Sequence, residues 1–385
     1  MLENWIFFIS SLIKIGGVLG AVLFMVSYTV LAERWISAWI QDRIGPNRVG
    51  IPLTNIRLWG MGQPVADALK LLLKEEFTPA HVHKIYFHLA PVLAMTPALV
   101  VFSVIPFGSS IDLRPLAAWL GPFWGWTGQT IALFNIPAVI ANLDIGLLFV
   151  FAIASLSVYG IALAGWASNS KYPLLGGIRG AAQMISYELC MGLAVVPVFL
   201  IVGEFNLSQI VQYQVHHGWL ACPLFPFAVR NLLLWPPLLL SFFIFLVSAF
   251  AETNRLPFDF PECESELVSG YHTEYASMKF GLFFLGEYAA VIAASAMVVT
   301  VFLGGWSLPL PWFNGEAAPW WFGFVHIAVF VGKVAALVFV FIWLRWTLPR
   351  LRYDQLMGLG WKIFLPFALA NIVLTALLIA AFHTL

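Results

Sequence analysis

The stretch Glu252–Lys279, ETNRLPFDFPECESELVSGYHTEYASMK, lies between two apolar runs that are each long enough to cross a bilayer. It carries six acids (Glu252, Asp259, Glu262, Glu264, Glu266, Glu274) against two bases, Arg255 and Lys279, in a chain of 385 residues that is only 10% charged. Hydrocarbon cannot host such a segment, and Pro257 and Pro261 argue against one uninterrupted helix. A connector that served topology alone would need only a few residues. The length, the titratable groups and the interleaved aromatics place the chain's chemistry here, at one membrane face.

Hydrophobic residues make up 61% of the sequence, well above the roughly one half of a soluble domain. The expected fold class is an all-α integral membrane protein. Eight windows are long enough to span, at about 8–32, 86–107, 144–166, 181–203, 233–251, 281–303, 321–344 and 363–383. The first exceeds a signal-peptide core and runs on without a cleavage signal, so it is expected to be a retained span. Fifteen of the nineteen Lys and Arg fall in the loops 33–84, 167–180, 252–280 and 345–362, the exceptions being Lys14, Arg114, Arg230 and Lys333. By the positive-inside rule those loops are cytoplasmic and both termini lie outside. No solenoid repeat or low-complexity tract appears, so a single polytopic domain over 1–385 is expected.

The formal charge is zero, which removes any global pull toward nucleic acid. Cys190, Cys222 and Cys263 form no CxxC and no His/Cys cluster, so iron–sulfur, haem c and disulfide readings fail. The long outer segment at 108–143 carries Trp119, Trp124 and Trp126, a pattern expected of an interfacial belt.

The first cytoplasmic loop holds more than a connector. QPVADALKLLLKEE, from Gln63 to Glu76, reads as an amphipathic helix with Val65, Leu69, Leu72 and Leu73 on one face and Asp67, Lys70 and Lys74 on another. Pro64 suits its first turn. At this length it lies in the membrane interface or covers a cavity there.

Acids in or beside spans are costly and so are candidates for function. Glu188 and Glu287 lie inside the fourth and sixth windows, and Glu33 and Glu252 sit at cytoplasmic span ends. The competing reading for Glu188 and Glu287 is a packing hydrogen bond; for Asp144 and Glu204, at outer ends, simple solvation is preferred. Lys333, seven residues after His326 on one helix face, is expected to pair with an intramembrane acid, while His326 is expected to be a core histidine. In the acidic segment Glu262 and Glu266 are one helical turn apart, with Glu264 facing elsewhere. Phe258, Phe260, Tyr271, His272 and Tyr275 interleave with these acids, which suits a cavity wall or a protein interface.

Five runs of the sequence together resemble one family. Glu33-Arg34 followed by Gln41, Arg43, Gly45-Pro46-Asn47 and Gly50 is similar to an ER…QxRxGPN signature. Gln63-Pro64, Ala66-Asp67-Ala68, Lys70-Leu71 and Lys74-Glu75 are similar to QPxADAxKLxxKE. Gly165 to Asn169, with Gln183 and Ser186-Tyr187-Glu188, resembles GWASN…AQxxSYE. The Glu252–Lys279 block and the stretch from Thr347 to Leu356 complete the set. The chain is identified as a member of the H-subunit family of proton-pumping NADH–quinone oxidoreductase, respiratory complex I. Departures from the family pattern are Trp35, Pro173, Cys263, Trp346, the inverted placement of Asn142 and Asp144, and an expanded loop before the third span.

The resemblance implies a membrane component of NADH:quinone reductase without a redox centre of its own, in a bacterial plasma membrane. Quinone is the implied substrate, bound with partner subunits. Those partners are hydrophilic quinone-site and iron–sulfur subunits on the cytoplasmic side, with small membrane and antiporter-like subunits and lipid alongside. It implies a quinone entrance and chamber wall with charge support from Arg34, Arg43, Gln63, Asp67, Arg255, Phe258, Tyr271, His272 and Tyr275. Glu33, Glu188, Glu252, Asp259, Glu262, Glu264, Glu266, Glu287 and Lys333 are then the expected coupling relay. Within that relay Arg34 and Arg43 neutralise adjacent acids and Arg255 pins the loop. Competing readings are the equivalent membrane component of an energy-converting hydrogenase or other reduced-carrier dehydrogenase, a stand-alone cation/proton transporter, and a purely structural anchor. The transporter reading lacks inverted repeats, and the anchor reading leaves Glu188, Glu287 and Lys333 as unexplained costs.

Overall fold

Backbone amides buried in hydrocarbon must be satisfied within their own segment, so the apolar runs fold as helices. The computed structural model describes residues 2–50, 57, 59–115, 117–119, 134–221, 229–309 and 321–383. Among them, eight helical stretches are long and apolar enough to cross a membrane. The chain is thus an all-α integral membrane protein.

The spanning elements are α1 (Leu2–Ile40), α3 (Lys84–Val100), the pair α4 (Gly146–Ala154) and α5 (Leu156–Ala167), α6 (Lys171–Val202), α8 (Val229–Glu252), α10 (Ser277–Phe302), α11 (Phe322–Thr347), and a last stretch of α12 (Tyr353–Gly358) and α13 (Leu365–His383). A widened π turn, Leu359–Phe364, joins α12 to α13. Shorter helices are α2 (Gln63–Leu73), α7 (Leu207–His217) and α9 (Glu264–Leu267). Strands β1 (Ser110–Asp112) and β2 (Asn135–Pro137) pair antiparallel, Ile111 opposite Ile136.

Several helices outrun the expected windows. α1 continues to Ile40, because AERWISAWI contains no helix breaker before the Gly45-Pro46 turn. α6 begins at Lys171, so most of the expected 167–180 connector is helical. Hydropathy marks where a helix can be immersed, whereas propensity decides where it ends. The third window is split at Ser155 into two helices. The β1–β2 hairpin falls in the 108–143 segment, where no strand was expected. Trp119 there is exposed; Trp124, Trp126 and Cys222 lie outside the described residues.

α10 is the axis of the bundle: 67% of its apolar window is buried inside the protein, against 11% for α1. α3 packs along α5 and α10, and α6 along α5, α8 and α13. Small residues allow the close crossings. A Cβ on Gly160 would meet the Ala94 backbone at 2.5 Å. One large apolar core unites these helices, and a smaller one around Phe87, Met184, Tyr271, Tyr275 and Phe283 sits under the acidic segment.

Candidate functional site

One set of contacts holds the acidic segment on α6, and another closes the segment on itself. The Gln183 amide donates to the carbonyls of Ala251 and Phe258, both at 2.7 Å, and to Asn254 Oδ1 at 3.2 Å. One buried side chain therefore satisfies a backbone acceptor in the last turn of α8 and another beyond its end. Farther along, Gly270 has φ +59°, and a Cβ there would lie 1.7 Å from the Pro261 carbonyl oxygen. Only glycine permits this close return of the chain. At the segment's outer rim Arg350 pairs with Asp259 at 2.8 Å and donates to Cys263 Sγ at 3.1 Å, while Arg179 pairs with Glu266 at 2.5 Å.

Beneath the segment lies a cluster of buried charge. Arg255 Nε is 2.5 Å from Glu287 Oε1, and its Nη1 is 3.4 Å from Glu33 Oε2. Glu33 also accepts from Tyr288 OH at 2.7 Å and pairs with Arg345. The guanidinium of Arg255 sits over the Tyr288 ring, 4.1 Å from its centroid. Helices α1, α10 and α11 and the acidic segment each supply part of this network. Desolvated charges persist only when paired and hydrogen-bonded, so the position of each member depends on the charge of the others.

A largely apolar cavity adjoins the cluster. Glu252, Glu262, Glu287 and Tyr271 line its polar end, and residues such as Ala98, Val101 and Met297 line its depth. Glu252 also lies within electrostatic reach of Glu188 on α6. Burial, reinforced by Glu287 and Asp259, raises the Glu262 carboxyl well above the usual carboxylate range. Tyr271 OH donates to Glu262 at 3.4 Å, and His272 Nδ1 lies 3.7 Å from the same oxygen. Burial lowers His272 to about 4, so at neutral pH an uncharged imidazole faces a carboxyl held toward its protonated form. Burial likewise pushes Asp259 up to about 6, against the opposing pull of Arg350.

The amphipathic helix forms over Gln63–Leu73, three residues short of the expected end at Glu76, with Pro64 in its first turn. Arg34 of α1 pairs with Asp67 at 2.9 Å, and Gln63 donates to the same carboxylate at 2.9 Å. At the other end Ser277 Oγ donates to the carbonyls of Leu71 and Lys74, and Lys279 pairs with Glu76 at 2.9 Å. The expected apolar face remains exposed, Val65 at 59% and Leu73 at 84%.

Some expected positions differ. Glu262 and Glu266 do not share a helical turn, because α9 begins only at Glu264; Glu262 faces the cavity while Glu266 and Glu264 are exposed. Arg43 reaches Gln41 at 2.8 Å rather than an acid. Lys333 does not meet an intramembrane acid. Its ammonium donates to the carbonyls of Leu303, Gly305 and Ser307 at 2.7, 3.0 and 2.5 Å and sits over the Trp219 ring. Phe258 packs on Tyr187 and Tyr275 stacks on Phe87, so both are wall supports, whereas Tyr271 reaches the cavity. His326 meets Ser109 at 2.8 Å, as a core histidine.

Sequence reasoning left Arg345, Arg350, Arg179 and Gln183 out of the site. The three arginines carried a signal, since they stand in basic loops expected on the same membrane face as the acids they meet. Gln183 carried only its place in the SYE run.

Among the described residues no group of three or more His, Cys, Asp or Glu is placed to hold a metal ion. Comparison with known proteins points one way. The NADH dehydrogenase family profile matches residues 13–376. An H-type subunit of NADH-quinone oxidoreductase from Geobacter metallireducens is 47% identical over 364 residues, 94% of each chain. The corresponding protein of Syntrophotalea carbinolica is 47% identical over 365 residues, again 94% of each. That of Salinibacter ruber is 46% identical over 373 residues, 95% of this chain and 94% of the relative.

Proposed function

The chain belongs to the H-subunit family of NADH-quinone oxidoreductase, and from that premise we propose that it walls the quinone route and couples quinone reduction to proton translocation. As a membrane component of that enzyme complex it works among the complex's other subunits. In this reading the hydrophilic quinone-site and iron–sulfur subunits cover the acidic face, and small membrane and antiporter-like subunits flank the bundle. The charged loops face the cytoplasm of a bacterium and both termini lie outside, as the distribution of Lys and Arg favours.

The observation that carries the reading is Arg255 shared between Glu33 and Glu287 beside an acid-rimmed apolar cavity. Quinone reduction consumes two electrons and two protons. Proton uptake near Glu262 or Asp259 changes the field at Glu287. A proton placed on Glu287 releases Arg255 toward Glu33, so the charge state at the cavity is transmitted to α1 and α11. Glu252 and Glu188 offer a second branch into α6. Lys333, ringed by carbonyls, stands outside this relay.

The test is quinone reductase activity and proton pumping in membranes carrying Glu287→Gln or Glu188→Gln, with assembly checked on a native gel. Assembled complex with depressed pumping is expected. Unchanged turnover and proton stoichiometry in both variants would remove the relay. Labelling of this chain by a photoreactive quinone separates the coupling role from that of an anchor.

A further inference from the structure

A second cavity, of about 340 Å³, lies at the opposite end of the bundle. It is a groove between α1, α10 and α11 that continues beneath the β1–β2 hairpin, and among the described residues its lining is apolar except for Lys14. Lys14 Nζ donates to the Val139 carbonyl at 3.1 Å. An ammonium has three donors, and no acid lines the groove among the described residues.

The depth of this groove in the membrane follows from α1 itself. Lys14 and Glu33 are on one continuous helix, separated by about 28 Å of helical rise. That is close to the hydrocarbon thickness of about 30 Å, so with Glu33 at the charged face Lys14 lies at the level of the opposite headgroups. From Lys14 the groove follows α1 through Gly17, Val18 and Val22 to Met25, about 16 Å of rise. This is half the bilayer core, the depth of one leaflet.

We propose that this groove is a lipid site that takes one acyl chain of a phospholipid whose acidic headgroup meets Lys14. A lysine that merely snorkelled would reach for water; this one turns to a carbonyl at the groove's mouth, where an anionic phosphate gives it the counter-charge that no described residue lining the groove does. A quinone tail fits the site less well, because its headgroup is neutral and makes no use of the cation. The inference is independent of the coupling role.

The experiment uses the assembled complex in nanodiscs of phosphatidylcholine doped with phosphatidylglycerol bearing a photoreactive acyl chain. Crosslinks are expected on residues 13–25 of α1 or 327–334 of α11. Gly17→Leu should abolish them: a Cβ at Gly17 meets no atom within 4 Å, so the larger side chain enters the groove itself. In parallel discs doped instead with phosphatidylcholine bearing the same photoreactive chain, Lys14→Gln should retain labelling, while the preference for phosphatidylglycerol falls about fivefold. No crosslink to these segments in the unaltered complex, or crosslinks that survive Gly17→Leu, would overturn the proposal. So would a neighbouring protein captured by a crosslinker at Gly17→Cys, since the groove would then hold a protein helix.

Discussion

Arg255 and Lys333 are both cations enclosed in the bundle, and their surroundings could hardly differ more. Arg255 is held by two carboxylates and a tyrosine ring at the acidic face. Lys333 is held by three backbone carbonyls at the other end of α10. Carboxylates gain and lose protons, so the first environment can change its charge; carbonyl dipoles cannot, so the second is constant. A buried cation is therefore informative about function only once its partners are known. Titratable partners make a switch, and backbone partners make a clasp.

The largest effect should come from breaking the switch. Arg255→Met leaves Glu33 and Glu287 without the charge they share and should cost about 3–5 kcal/mol, read as lost assembly on a native gel or abolished quinone reductase activity. Arg255→Lys, which keeps the charge but not the fork, should restore assembly with impaired turnover.

Breaking the clasp should act on stability alone. Lys333→Met strands three carbonyls and should cost about 1–3 kcal/mol, seen as a lower melting temperature of the complex at unaltered protons per electron. Altered stoichiometry would place Lys333 with the switch and dissolve the contrast.

A smaller, pH-dependent effect is expected at Asp259. Its carboxyl is pushed up to about 6 from an ordinary 3.8. A value raised on folding contributes stability below pH 3.8 that is lost as pH rises through about 6. Asp259→Asn should flatten the pH dependence of the segment's hydrogen exchange over that window. A curve identical to the parent's would assign the titration to another group. The smallest effect is expected of Glu266→Gln, which removes a half-exposed pair with Arg179 worth about 1 kcal/mol or less. Assembly and activity should stay near parental levels, and a large loss of assembly would make Glu266 a docking residue for another component of the complex.

Much of this was legible in the chain. Period and hydropathy exposed the spans and the amphipathic helix, since both follow from neighbours within a few residues. The acidic segment announced itself by composition. The pairing within it was hidden: Glu262 and Glu266 are four apart in sequence, yet one lines the cavity and the other meets Arg179. Gln183 shows the same limit, because its three acceptors lie some seventy residues away.

The sequence by itself determined what the bilayer enforces residue by residue: helical spans, charged loops gathered between alternate spans, and a polar segment that had to leave the hydrocarbon. Only the tertiary structure decided which acid meets which base. Glu33 has its partners at Arg255 and Arg345, more than two hundred and three hundred residues distant. Local preference sets the helices because each backbone bond closes within four residues, whereas a buried charge finds its partner through the packing of whole helices.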